Sequence, residues 1–232
     1  MKVSDTVQKK VDELVAALRS AHGEGLVAVL AHGSAVRGGW QPGSDVDLVI
    51  VLREASRATL ERSANAVQGA RWAARIEAMI LVEDEIPRAA DVFPVFYAEL
   101  QQHHELLHGR DPFEGLRIER HHLRLRVEQE LREAQIRLRR AVVDALGSKE
   151  ALAGVTARKL KQVRSPLRAL LSLSSVDVAS DLASVLAASC KALDVQAAPL
   201  ERIDAEPGAA HAALVTLLDR AIARVDAMEE PS

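Results

Sequence analysis

Apolar positions along the chain change period near residue 115. Val7, Val11, Leu14, Val15 and Leu18 recur at helical spacing behind a candidate N-cap at Ser4 or Asp5, so the first segment reads as an amphipathic helix. His22-Gly23-Glu24-Gly25 closes it. Residues 26–31 form a continuous apolar run of strand length, as expected of a strand buried on both faces. A glycine-rich connection from Gly33 to Ser44 leads to a second strand over 45–52. Residues 56–70 read as helix and 75–82 as a third strand. The run 92–97, interrupted by Pro94, reads as a fourth strand at a sheet edge, where proline is tolerated.

Beyond Gly109-Arg110-Asp111-Pro112-Phe113-Glu114-Gly115 the strand pattern stops. Leu123, Val127, Leu131, Ala134, Leu138 and Val142 step by three or four, one long apolar stripe on a helix. Further helices are expected over 149–172, 180–194 and 209–228, the last carrying Leu214, Leu217, Leu218 and Ile222. Pro166 should kink or end the first of these near Ser165. Alternating helices and strands followed by helices alone predict an α+β chain. Its expected division is a first domain over 1–114 and a helical bundle over 115–232.

Composition sharpens this picture. Hydrophobic residues make up 48% and charged residues 27%, which excludes a disordered chain. Lys plus Arg is 30 against 33 for Asp plus Glu, and that balance argues against a dedicated nucleic-acid binder. Aromatics are only 3%, so the core must be built from Leu, Val and Ala, which suits helices better than a barrel. The single cysteine, Cys190, excludes an internal disulfide and a multi-cysteine zinc site. No apolar h-region follows Met1, and the longest apolar runs fall far short of a bilayer span, so no membrane association and a cytoplasmic location are expected.

The candidate chemistry lies in one stretch, His32-Gly33-Ser34, ten further residues, then Asp45-Val46-Asp47. Strand alternation puts Asp45 and Asp47 on one face, about 7 Å apart. Carboxylates so placed repel unless a cation lies between them, and a hard divalent ion such as Mg²⁺ suits them. Gly33-Ser34 follows a buried strand and enters a turn, where backbone N–H groups and a hydroxyl can hold phosphate oxygens. A phosphate cradle beside a carboxylate pair is what in-line attack on a nucleoside triphosphate requires.

Gly33-Ser34, the ten-residue gap and Asp45-x-Asp47 between apolar runs resemble the signature of the DNA polymerase beta-like nucleotidyltransferases. The fuller string, through Ala35-Val36, Gly38-Gly39, Pro42, Ser44 and Leu48, is similar to the streptomycin/spectinomycin adenylyltransferases. The resemblance implies an N-terminal nucleotidyltransferase domain with a short mixed sheet flanked by helices. It also implies Mg²⁺ on Asp45 and Asp47, Ser34 and Gly33 at the triphosphate, and ATP as donor. A third carboxylate is implied as well. Glu77, at the start of the strand over 75–82, matches the adenylyltransferase pattern in which a glutamate activates the acceptor hydroxyl; Glu99 is the competitor. The acceptor would be a hydroxyl of a small molecule such as an aminoglycoside. A protein hydroxyl, as in antitoxin-like minimal nucleotidyltransferases, and a catalytically silent nucleotide-binding protein are the alternatives.

The second half offers weaker candidates. Arg158, Lys159, Lys161, Arg164 and Arg168 form a basic stretch without an acid, from which Lys159, Lys161 or Arg164 could reach the triphosphate across an interdomain cleft. A basic outer face is the other reading of it. Glu128, Glu130, Glu133 and Asp144 could attract a polycation but are dispersed along a helix. His103-His104 and His121-His122 read as surface pairs, because neighbours on a helix diverge too far to chelate one ion. Arg117 and His122 have an Arg-x4-His spacing, but at the start of the bundle, not deep in a late helix. Cys190 reads as a buried small residue.

Overall fold

The computed structural model describes residues 1–228, so the last four residues of the expected 115–232 bundle lie outside the described residues. The chain forms two compact units, one of residues 1–90 and 97–117, the other of residues 91–96 and 118 onward. The architecture is α+β: a four-stranded mixed sheet with helices, then helices packing together.

In the first unit, α1 (Asp5–His22) starts where the Ser4 hydroxyl accepts the Val7 N–H. It buries Val11, Leu14 and Leu18. The sheet runs β3-β2-β1-β4. Strands β1 (Leu26–His32) and β2 (Val46–Leu52) pair antiparallel in its centre and are buried along nearly their whole length, which is why both read as continuous apolar runs. Helix α3 (Arg57–Ala74), capped by Ser56, crosses over to β3 (Ile76–Val82), which pairs parallel with β2. The core on the α1/α3 side holds Leu14, Leu18, Val29, Ala31, Leu48, Ile50 and Ile76.

The fourth strand is not where the sequence pattern predicted it. Residues 92–97 are helical but for a bend at Phe93: α4 (Ile86–Val92) ends there and α5 (Pro94–Gln102) begins. Pro94 is the first residue of α5, where its missing N–H leaves no intrahelical bond unmade, so proline here marks a helix start and not a strand edge. The edge strand is β4 (Glu105–Gly109), antiparallel to β1. It was illegible because it is short and half-exposed. Gly109 ends it at φ 84°, where a Cβ would lie 1.9 Å from the Val27 carbonyl oxygen, so no other residue fits.

In the second unit, α6 (Arg120–Ala145), α7 (Lys149–Leu173), α8 (Leu182–Ala192), α9 (Ala198–Glu201) and α10 (Pro207–Asp226) surround a core of Leu131, Leu138, Leu160, Leu167, Leu214 and Leu218. The stripe on α6 ends differently from expectation: Ala141 and Ala145 are buried while Val142 is exposed. Two successive four-residue steps, 134 to 138 to 142, overshoot the 3.6-residue period and rotate Val142 off the face. Pro166 does not end α7, which continues unbroken to Leu173. Its missing hydrogen bond and ring clash cost about 3 kcal/mol. Burial of Val163, Leu167, Leu170 and Leu171 on either side offsets that at about 1.5–3 kcal/mol for each large side chain.

Candidate active site

The site grows from the end of β1. After His32 the chain turns at Gly33 (φ 71°, ψ −151°) into the short helix α2 (Ser34–Arg37), and Gly38 ends that helix in the left-handed conformation with its N–H on the Ser34 carbonyl. A Cβ at Gly33 would lie 2.2 Å from Asp47 Oδ2, so the turn rests directly on the Asp47 carboxylate. Register does the rest. His32 faces Asp47 across the antiparallel β1–β2 pair, and Glu77 sits beside Asp47 in the parallel β2–β3 pair.

Four carboxylates belong to this neighbourhood, and arginines hold three of them. Arg75, just before β3, bonds Asp45 Oδ1 through both Nε and Nη2 at 2.9 Å. Arg71 Nε lies 3.0 Å from Glu77 Oε1. Arg37 Nη1, at the end of α2, donates to Glu99 Oε1 on α5 at 2.6 Å. The first two pairs are about half exposed, a class worth about 0–1 kcal/mol that a ligand can displace. The third is 17% and 18% exposed, and breaking it would strand a largely desolvated charge.

Asp47 is set by burial, which pushes its carboxyl above the ordinary aspartate range. His32 opposes this, the negative charges of Asp45 and Glu77 add to it, and Arg37 opposes it. Burial likewise holds His32 below its ordinary value, against the carboxylates of Asp47 and Glu99. A divalent cation would reverse the penalty on Asp47. Asp45 and Asp47 supply hard oxygen donors for one, and Mg²⁺ characteristically takes one or two carboxylates and completes its shell with phosphate oxygens and water. Among the described residues no three of His, Cys, Asp or Glu converge as a ready-made cage.

The sequence reading identified Gly33, Ser34, Asp45, Asp47 and Glu77, which the fold brings to one end of β1, β2 and β3. It gave no role to His32, Arg37, Arg71 or Arg75, and it offered Glu99 only as a competing third acid. Their roles follow from strand register and helix ends, which residue spacing does not encode. Lys159 and Lys161 lie on α7 in the second unit. The Lys159 Nζ donates to Gln162 Oε1 at 2.6 Å beside a cavity of about 130 Å³ that Glu130, Glu133 and Arg137 also line. Its ammonium is held below the ordinary lysine value by burial and by repulsion from Arg137 and Arg158. Arg164 is buried inside that unit, its Nη1 donating to the Ser180 carbonyl at 2.9 Å.

The remaining candidates make contacts within their own units. The histidines expected at the surface are half-buried: His104 packs its edge on Phe113 beside Asp111, and His122 lies beside His121 and Asp91. Glu128, Glu130, Glu133 and Asp144 each pair with an arginine one turn away on α6. Cys190 is buried, and burial raises its thiol.

A Gly-Ser turn seated on Asp47, with a glutamate in register on the parallel neighbour, fits the DNA polymerase beta-like nucleotidyltransferase domain. The chain belongs to the nucleotidyltransferase domain family, whose model matches residues 11–139, more than half its length. Its fold is shared by the spectinomycin adenyltransferase AAD(9) from Enterococcus faecialis, solved with ATP and spectinomycin. The likeness has a TM-score of 0.57 at 13% identity and covers 92% of this chain and 98% of that one. Among curated proteins none matches the chain. Among the described residues no helix is long and apolar enough to cross a membrane.

Proposed function

We propose that the protein transfers a nucleoside monophosphate, AMP from ATP, onto a hydroxyl of a small molecule such as an aminoglycoside, with release of pyrophosphate. The observation that carries this reading is the seating of Gly33-Ser34 on Asp47, which puts a glycine turn suited to phosphate oxygens directly against a carboxylate suited to a hard cation. Asp45 and Asp47 would hold Mg²⁺, which when bound supplies charge neutralisation for the triphosphate. The Gly33 N–H and the Ser34 hydroxyl orient the β- and γ-phosphates. Glu77 takes the proton from the acceptor hydroxyl, whose oxygen bonds to the α-phosphorus as the bond to the β-phosphate oxygen breaks. The exposed Arg71 partner leaves Glu77 able to exchange its ion pair for that proton. ATP and an aminoglycoside acceptor are drawn from the likeness to the spectinomycin enzyme, which extends over the helical half.

The test is pyrophosphate release from Mg·ATP across a panel of aminoglycosides, with the wild type, Asp45→Asn/Asp47→Asn and Glu77→Gln. The expected result is release that needs an acceptor, vanishes in the double variant, and falls at least about a hundredfold in Glu77→Gln with ATP binding kept. Full activity in Glu77→Gln would refute its role as base. Transfer to protein but to no small molecule would favour the antitoxin-like alternative, and ATP binding without release the silent one.

A further inference from the structure

We infer that Glu99 is a positioning residue: by holding Arg37 it keeps that guanidinium off Asp47, and so keeps the Asp45–Asp47 pair open to a divalent cation. The inference rests on the reading of Asp45 and Asp47 as cation ligands.

Arg37 ends the helix that begins at Gly33, the residue seated on the Asp47 carboxylate. Its backbone N–H donates to the Gly33 carbonyl at 3.1 Å, so Arg37 stands one helical turn from the residue that meets Asp47. A guanidinium offers paired N–H donors that match a carboxylate bidentately, so beside Asp47 it is a direct competitor for the oxygens a cation needs. The structure directs it elsewhere, onto Glu99 at 2.6 Å, in a pair shielded from water.

Glu99 comes from α5, an element outside the sheet. That helix is tied down where the Gln101 side chain donates to the Phe113 and Leu116 carbonyls. The anchor for Arg37 is therefore independent of the strands that carry the aspartates. The two exposed arginines, Arg71 and Arg75, need no such keeper, because water and ligand can compete for them. A shielded arginine cannot be displaced so cheaply, and which carboxylate it chooses decides whether Asp47 is available.

This role differs from that of a third metal ligand or a structural strut, and the three separate by rescue. If Glu99 were a ligand, removing Arg37 as well would not restore cation binding. If the pair were a strut, removing both partners would leave the turn as loose as removing one. If Glu99 acts by sequestering Arg37, removing Arg37 repairs the loss of Glu99.

The probe is Mn²⁺ alone, followed through loss of its free-ion paramagnetic resonance signal on titration with the full chain. The proteins are wild type, Glu99→Gln, Arg37→Gln, Glu99→Gln/Arg37→Gln and Asp45→Asn/Asp47→Asn, each checked for folding by circular dichroism. We expect Glu99→Gln to weaken Mn²⁺ about tenfold, the scale on which one nearby opposite charge alters a carboxylate. Arg37→Gln should bind at least as tightly as wild type, and the Glu99→Gln/Arg37→Gln variant should return to within about twofold of it. Wild-type affinity in Glu99→Gln, or a double variant as weak as Glu99→Gln, would overturn the inference while leaving the aspartate site standing. Binding that is absent in wild type, or that survives Asp45→Asn/Asp47→Asn, would overturn the site reading, and this inference with it. Should Glu99→Gln fail to fold, Arg37→Gln alone decides: weakened Mn²⁺ binding there overturns the proposal.

Discussion

Replacing Gly33 with alanine tests the geometry of the site with a single methyl group. Two independent costs follow. The backbone at φ 71°, ψ −151° lies close to a region that is essentially glycine-only, so any Cβ there carries strain of about 1–3 kcal/mol. The new Cβ would also stand 2.2 Å from Asp47 Oδ2, and contacts under 3.0 Å do not persist, so the carboxylate must retreat by at least 0.8 Å, from 2.2 to 3.0 Å. A reacting group misplaced by about 1 Å costs on the order of a hundredfold in rate. Gly33→Ala should therefore lose about 1–3 kcal/mol in urea unfolding. Pyrophosphate release should fall about a hundredfold, with far-UV circular dichroism unchanged.

The steric part can be isolated in a double-mutant cycle. In an Asp47→Ala background the carboxylate is gone, so Gly33→Ala there should show only the backbone strain and a smaller loss of stability. An equal loss in both backgrounds would show that the methyl never meets Asp47. Wild-type stability and activity in Gly33→Ala would refute the seating of the turn on the aspartate altogether.

Two further predictions concern the scaffold. His22 is buried at the end of α1, and burial, with help from Arg62, holds its imidazole below the ordinary histidine value. Its neutral form is favoured in the fold. The contribution is thus fully present above the unfolded value near 6.5 and lost as pH falls through the lower folded value. Urea unfolding between about pH 7.5 and 5 should show this slope, and His22→Gln should flatten it; an unchanged slope would remove His22 from the account. Arg164→Ala should destabilise the protein by about 1–3 kcal/mol, since the buried Ser180 carbonyl loses its donor. Urea unfolding measures it, and a neutral Arg164→Ala would mean that this bond is not needed.

Several misreadings share one cause. Residues 92–97 have strand-like composition, yet Pro94 begins a helix that buries Tyr97 and Leu100. Apolar content alone could not choose between the two. Pro166 should by local preference break α7, and packing on both sides of it overrides that preference. β4 carries too few buried residues to leave a pattern, and only its pairing with β1 makes it a strand.

The sequence by itself determined the two-part α+β plan, because burial of whole strands and of helix faces writes its own periodicity into residue order. Residue order also carried the Gly33-Ser34 turn and the Asp45-x-Asp47 spacing after it, because a glycine turn and the start of a buried strand are local properties of a few residues. Only the tertiary structure decided which of Glu77 and Glu99 adjoins Asp47 in the sheet and which arginine holds each acid. Those choices depend on strand register and on helix ends, which bring together residues such as Arg37 and Glu99 from 62 positions apart. Electrostatic partnership acts through space over a few ångströms, and no spacing along the chain specifies it.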